Sequence, residues 1–96
     1  MLAMDNYNFF KTPGDIQKGI AINVRARRKE KKITQEKLAE RSDVSLGSVK
    51  RFERTGEISL ASLIKIAFVL GCEDDFDKLF SKKGYASIEE VIRGKA

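Results

Sequence analysis

The sequence predicts an all-α bundle of five short helices, and three observations carry that expectation. Apolar residues recur at spacings of three and four along most of the chain, the signature of helices with one buried stripe. The strict alternation of apolar and polar residues that marks amphipathic strands is scarce. Thr12, Thr34 and Ser59 each stand where a hydroxyl side chain can cap a helix start. With 96 residues and 42% hydrophobic content, the chain can bury one modest core, not two.

The elements follow in order. Residues 1 to 11 mix polar residues with Tyr7, Phe9 and Phe10, an aromatic cluster that needs a surface to lie on, in this chain or in a partner. Thr12-Pro-Gly-Asp15 opens the first helix with a hydroxyl cap and proline at the first position. That helix is expected from about Pro13 to Lys31, with Ile16, Ile20 and Val24 as its buried stripe. Thr34 caps a second helix that Gln35 opens. Arg41-Ser42-Asp43 then makes a tight turn whose left-handed conformation favours Gly but tolerates Asp. A third helix begins near Ser45, and Thr55-Gly56-Glu57-Ile58 forms the loop after it. Ser59 caps a strongly apolar fourth helix with Leu60, Leu63, Ile64, Ala67, Phe68 and Leu70, and Gly71 ends it. A fifth helix near Asp74 to Phe80 offers Phe76, Leu79 and Phe80 to close the core. In the tail, Ser87 and Glu90 form a capping-box pattern. Tyr85, Ile88, Val91 and Ile92 make an apolar patch too short to fold alone. The chain's own core, a second subunit and a protein partner all remain open as its cover. The expected division is an N-terminal extension over 1–12, a domain over 13–80 and a tail over 81–96.

Residues 35 to 54, QEKLAERSDVSLGSVKRFER, are the most informative stretch. Leu38, Ala39, Val44, Val49 and Phe52 fall where two short helices joined by a tight turn must touch, and Ala39 is small enough for the second to cross close above it. That pattern reads as a helix-turn-helix, whose second helix presents its first turn and one exposed stripe to the DNA major groove. Its outward side is Ser45, Leu46, Gly47, Ser48, Lys50, Arg51 and Arg54, short, polar and basic residues with no acid among them. Gly47 near a helix start costs about 1 kcal/mol relative to Ala. It either lets phosphate or base edges approach the backbone or relieves crowding against a neighbouring helix.

Charge is concentrated in the same region. The net charge is +5, yet residues 16 to 56 hold twelve Lys and Arg against five Asp and Glu, while the flanks are each net negative. Confinement of the excess to the motif suggests a phosphate footprint and argues against an adaptor that uses the same surface for protein alone. Within Arg25-Ala-Arg-Arg-Lys-Glu-Lys-Lys32, phosphate contact is expected from Arg25, Lys29 or Lys32; the alternative is a solvated helix end whose cations favour the helix dipole.

The sequence has no His, which removes a Ser-His-Asp triad, a Cys-His pair and His-ligated metal. Cys72 is the single cysteine and reads as a small buried hydrophobe. No cofactor or metal is expected, and no convergent set of ionisable residues suggests an enzyme. No stretch approaches the roughly 20 apolar residues of a membrane span. The start lacks a basic region and an apolar secretory core, so a cytoplasmic location is expected.

Residues 16 to 80 resemble the repressor-type helix-turn-helix family of the lambdoid phage repressors, Cro and the XRE-like regulators. The resemblance implies a five-helix lambda-repressor-like domain that binds double-stranded operator DNA as a homodimer, most often as a repressor, on a palindromic site. It implies that Gln35 contacts the DNA backbone and braces the recognition helix. Ser45, Leu46, Gly47 and Arg51 match positions that commonly face bases, with Ser48 and Lys50 beside them. It also implies an internal ion pair between Arg28 and Glu53. Ser42, at a position usually apolar, and Asp43, at one usually glycine, depart from the pattern. Leu46 cannot hydrogen-bond a base, so it either touches a thymine methyl or packs inward, and specificity rests mostly on Arg51, whose fork suits guanine, helped by Ser45, Ser48 and Lys50. The phrase VSLGSVKRFERTGEISLASLIKIAFVLG, with DDFDKLF and YASIEEV after it, also resembles the antitoxins encoded beside HipA-type kinases. That likeness implies an alternative function, an antitoxin of a type II module that binds operator DNA and holds its toxin through the tail.

Overall fold

The computed structural model describes residues 11–84. It contains α1 (Pro13–Glu30), α2 (Gln35–Ser42), α3 (Leu46–Thr55), α4 (Leu60–Leu70) and α5 (Asp74–Asp77), with no strand among the described residues. Tyr7, Phe9, Phe10 and the tail residues Tyr85, Ser87, Ile88, Glu90, Val91 and Ile92 lie outside them.

Each longer helix is opened by the hydroxyl placed before it. Thr12 Oγ1 accepts from Asp15 N while the Asp15 carboxylate accepts from Thr12 N, a reciprocal capping box with Pro13 at the first position. Thr34, Ser45 and Ser59 cap α2, α3 and α4 by accepting from Lys37 N, Ser48 N and Ser62 N. The ends are set by left-handed residues: Asp43 (φ 57°) after α2, Gly56 (φ 86°) after α3 and Gly71 (φ 72°) after α4. Asp adopts that conformation at a cost that Gly would not incur.

The core lies between α2, α3 and α4. Leu38, Ala39, Val44, Val49, Ile66 and Leu70 are buried together, and Val24, Ile33, Leu46, Ile58, Val69 and Cys72 pack against them. Phe52 is also buried. α1 packs chiefly on α3, and α2 packs on both α3 and α4.

Several expectations are corrected, although α1 ends where expected, at Glu30 with Lys31 as its cap. Its buried residues are Ala21 and Arg28, whereas Ile16 and Ile20 are exposed and Val24 is half-buried. The helix turns its small residue and its ion-pairing Arg toward α3, which leaves the isoleucines at the edge of the contact. Ser42 belongs to the last turn of α2 rather than the following turn, and it is buried. Its hydroxyl donates to Leu38 O at 2.7 Å, so a polar side chain fills an apolar seat with its hydrogen bond satisfied inside the helix. Ile66 is fully buried, while Leu60 and Phe68, read as scaffold, face outward. Cys72 is half-buried rather than buried.

The fifth helix is only four residues long. It ends at Asp77 with Lys78 as its cap; Leu79 N then donates to Phe76 O, and Phe80 adopts a left-handed φ of 60° in the turn that follows. Phe76 is half-buried, but Leu79 and Phe80 are exposed and do not close the core. An open, largely apolar groove of about 510 Å³ therefore remains, lined by Ile20, Val24 and Arg27 of α1, Leu60, Leu63 and Ala67 of α4, and Phe76 and Leu79, among others.

Candidate nucleic-acid interface

The outward side of α3 is assembled by burying its inner side. Val49 and Phe52, three apart on one face, are inside the protein. Ser45, Gly47, Lys50, Arg51 and Arg54 are consequently exposed, with Ser48 half-buried beside them. Ser45 Oγ donates to Ser48 Oγ at 2.8 Å and accepts from Ser48 N at 3.1 Å, so both hydroxyls are held at the leading turn.

Leu46 is half-buried and rests against the core cluster, which draws most of its side chain inward. Gly47 is informative in the opposite sense. A Cβ built there meets nothing within 4 Å, so glycine relieves no crowding within the described chain.

The helix is anchored by an internal ion pair. Arg28 Nε donates to Glu53 Oε2 at 2.7 Å and Nη2 to Oε1 at 3.0 Å, while Nη1 donates to Ile33 O at 2.9 Å. Gln35 Nε2 donates to Glu53 Oε1 at 3.0 Å. Two parallel Arg to carboxylate bonds fix angle as well as distance. Burial pushes the Glu53 carboxyl up, but hydrogen bonds from Arg28 and Gln35, with the charges of Arg28 and Arg25, outweigh it and hold the group below its ordinary range.

Above this pair lies an open polar cleft of about 430 Å³, lined by Arg25, Arg28, Thr34, Gln35, Lys50, Glu53 and Arg54. Since Arg28 and Glu53 neutralise each other on its floor, Arg25, Lys50 and Arg54 make it cationic. Lys29 stands one helical turn beyond Arg25 and is exposed, as is Lys32, in the turn after α1. The cleft brings together Gln35 with Arg25, Lys50 and Arg54. It does not include Arg51, Lys29 or Lys32.

Arg51 instead pairs with Glu57, in the loop after α3. A reading confined to the residues of the helix passes over Glu57. The available signal was an acid three residues beyond Arg54, at the first turn of loop where the chain doubles back.

Among the described residues no group of His, Cys, Asp and Glu has the arrangement to hold a metal ion, and no helix is long and apolar enough to cross a membrane. Compared with known families, residues 24–76 match the model described as Helix-turn-helix. No curated protein and no solved structure matches the chain.

Proposed function

Because this chain belongs to the XRE-type helix-turn-helix family of DNA-binding transcription regulators, we propose that it is a sequence-specific repressor that reads the major groove with α3. The reading rests on one observation: α3 buries Val49 and Phe52 while Ser45, Gly47, Lys50, Arg51 and Arg54 stay exposed, next to a cationic cleft on the same side. In this reading Ser45, Gly47, Ser48 and Arg51 face bases, with Leu46 at their edge. Gln35, Arg25, Lys29, Lys50 and Arg54 hold phosphates, and Arg28 with Glu53 fixes the helix from behind. Residues 13–80 act as the DNA-binding unit, with 1–12 and 81–96 as extensions.

One recognition helix spans too few base pairs to select a site among many, so the operator is two half-sites about one helical turn apart, bound by two copies. The apolar groove is the surface for the second copy. It uses Ile20, Val24 and Arg27 of α1, whereas the cleft uses Arg25 and Arg28, a different face of the same helix. Pairing through the groove thus leaves the DNA side open.

Selection of bound sequences from a randomised duplex pool with the full chain tests the proposal. Enrichment of a two-fold symmetric site, with affinity falling steeply as salt rises, is the expected result. Failure to retain any duplex at low salt would overturn it.

A further inference from the structure

The basic residues of α3 fall into two groups that the sequence does not separate. Lys50 and Arg54 line the cationic cleft with Arg25. Arg51 is turned away from it, and its Nη2 donates to the Glu57 carboxylate. The pair is well exposed on both sides, 62% and 56%, and such surface pairs add little to stability. Its frame is nonetheless held by hydrogen bonds and close packing. Thr55 Oγ1 donates to Arg51 O at 2.8 Å and accepts from Glu57 N at 3.1 Å. Gly56 N donates to Phe52 O at 2.7 Å, and Gly56 lies so close to α1 that a Cβ there would stand 2.8 Å from the Gln17 carbonyl carbon. Glu57 is therefore delivered to Arg51 by a loop with little freedom.

We propose that Glu57 is a specificity-determining residue that makes Arg51 a reader of bases rather than a binder of phosphate. The inference rests on the DNA reading above. A phosphate that took Arg51 would be brought against the Glu57 carboxylate, anion against anion. The guanine acceptors O6 and N7 carry only partial charge and incur little of that repulsion. Glu57 occupies one edge of the guanidinium and leaves the other donors of the fork to a base. It also holds in place a long side chain whose ordering would otherwise cost binding free energy. A repulsive group beside the reading residue lowers affinity for wrong sequences more than for the right one.

The test uses the full chain, its Glu57→Gln, Glu57→Asp and Arg51→Ala variants, and the Arg51→Ala/Glu57→Gln double variant. The probes are a dA·dT duplex, which offers phosphates but no guanine, and a randomised duplex pool for selection. Glu57→Gln should bind dA·dT more tightly, and its plot of log K against log salt should steepen by about 0.9, the contribution of one phosphate contact. Its selected consensus should lose its strongest guanine. Glu57→Asp should stay near wild type, and the gain on dA·dT should vanish when Arg51 is already Ala. Circular dichroism melting should be the same for all five chains. An equal gain on dA·dT in the Arg51→Ala background would reduce Glu57 to a general change in net charge and overturn the proposal. So would an unaltered consensus in Glu57→Gln. If the wild type binds neither probe at low salt, the DNA reading itself fails and this inference falls with it.

Discussion

Arg28 and Glu53, 25 residues apart in sequence, meet through two parallel hydrogen bonds that tie the last turn of α1 to α3. Their side chains are 10% and 5% exposed. A pair this enclosed is held less for its own net stability than because either member alone would be a buried, uncompensated charge.

Removing one member should therefore be severe. Glu53→Ala leaves Arg28 and Gln35 without their acceptor and should cost about 3 kcal/mol or more. Urea unfolding monitored by circular dichroism measures it; a loss within the roughly 0.5 kcal/mol of an ordinary surface substitution would show that the pair is not structural.

The same carboxylate makes stability depend on pH. Its folded-state value lies below the ordinary 4.5, so the unfolded chain takes up the proton first as pH falls. The contribution is complete above 4.5 and is lost as pH drops through the lowered folded-state value. The stability gap between wild type and Glu53→Gln should thus hold steady from neutral pH down to the ordinary value and narrow below it. A gap that stays constant down to about pH 2 would contradict the assignment.

Gly47 separates stability from binding. Since added volume there meets nothing among the described residues, Gly47→Ala should raise stability by about 0.5 to 1 kcal/mol through helix propensity alone. With α3 in the groove as proposed, affinity for the selected duplex should fall, because the methyl group would stand on the DNA-facing side. Unchanged affinity would remove Gly47 from the interface.

Reading and anchoring residues should behave differently. Arg51→Ala should cost about 1 to 3 kcal/mol on the preferred duplex and relax preference at one base pair. Arg25→Ala and Lys29→Ala should weaken all duplexes alike and lower the salt slope by about 1 each. Fluorescence anisotropy against matched and scrambled duplexes distinguishes the two patterns, and identical behaviour would erase the distinction.

Leu79 is 55% exposed at the groove. Leu79→Asp should leave helicity unchanged and shift the chain toward monomer in sedimentation velocity. It should also weaken binding to a two-half-site duplex more than to a single half-site. A dimer that survives this charge is made by another surface.

The motif was legible because its constraints are local. Ala39, Val44, Val49 and Phe52 occupy the inner contact that their spacing demanded, and Thr34 and Ser59 cap the helices they precede. What stayed hidden depended on tertiary placement. The spacing of Ile16, Ile20 and Val24 identifies an apolar side of α1 but not which neighbour reaches it, and the isoleucines were left out of the core. Phe80 itself adopts a left-handed conformation that no periodicity announces. Glu57 reaches Arg51 only because the loop at Gly56 folds back, and sequence distance alone does not show that return.

Gly56 has a further bearing on how a site is chosen. Its contact with the Gln17 backbone pins the far end of α3, and the Arg28 guanidinium grips Glu53 two turns after the cap. A rod clamped at two points cannot tilt to suit an awkward groove. In the DNA reading the double helix must supply the accommodation, and operators that share every contacted base would still be ranked by how easily their uncontacted steps bend or twist.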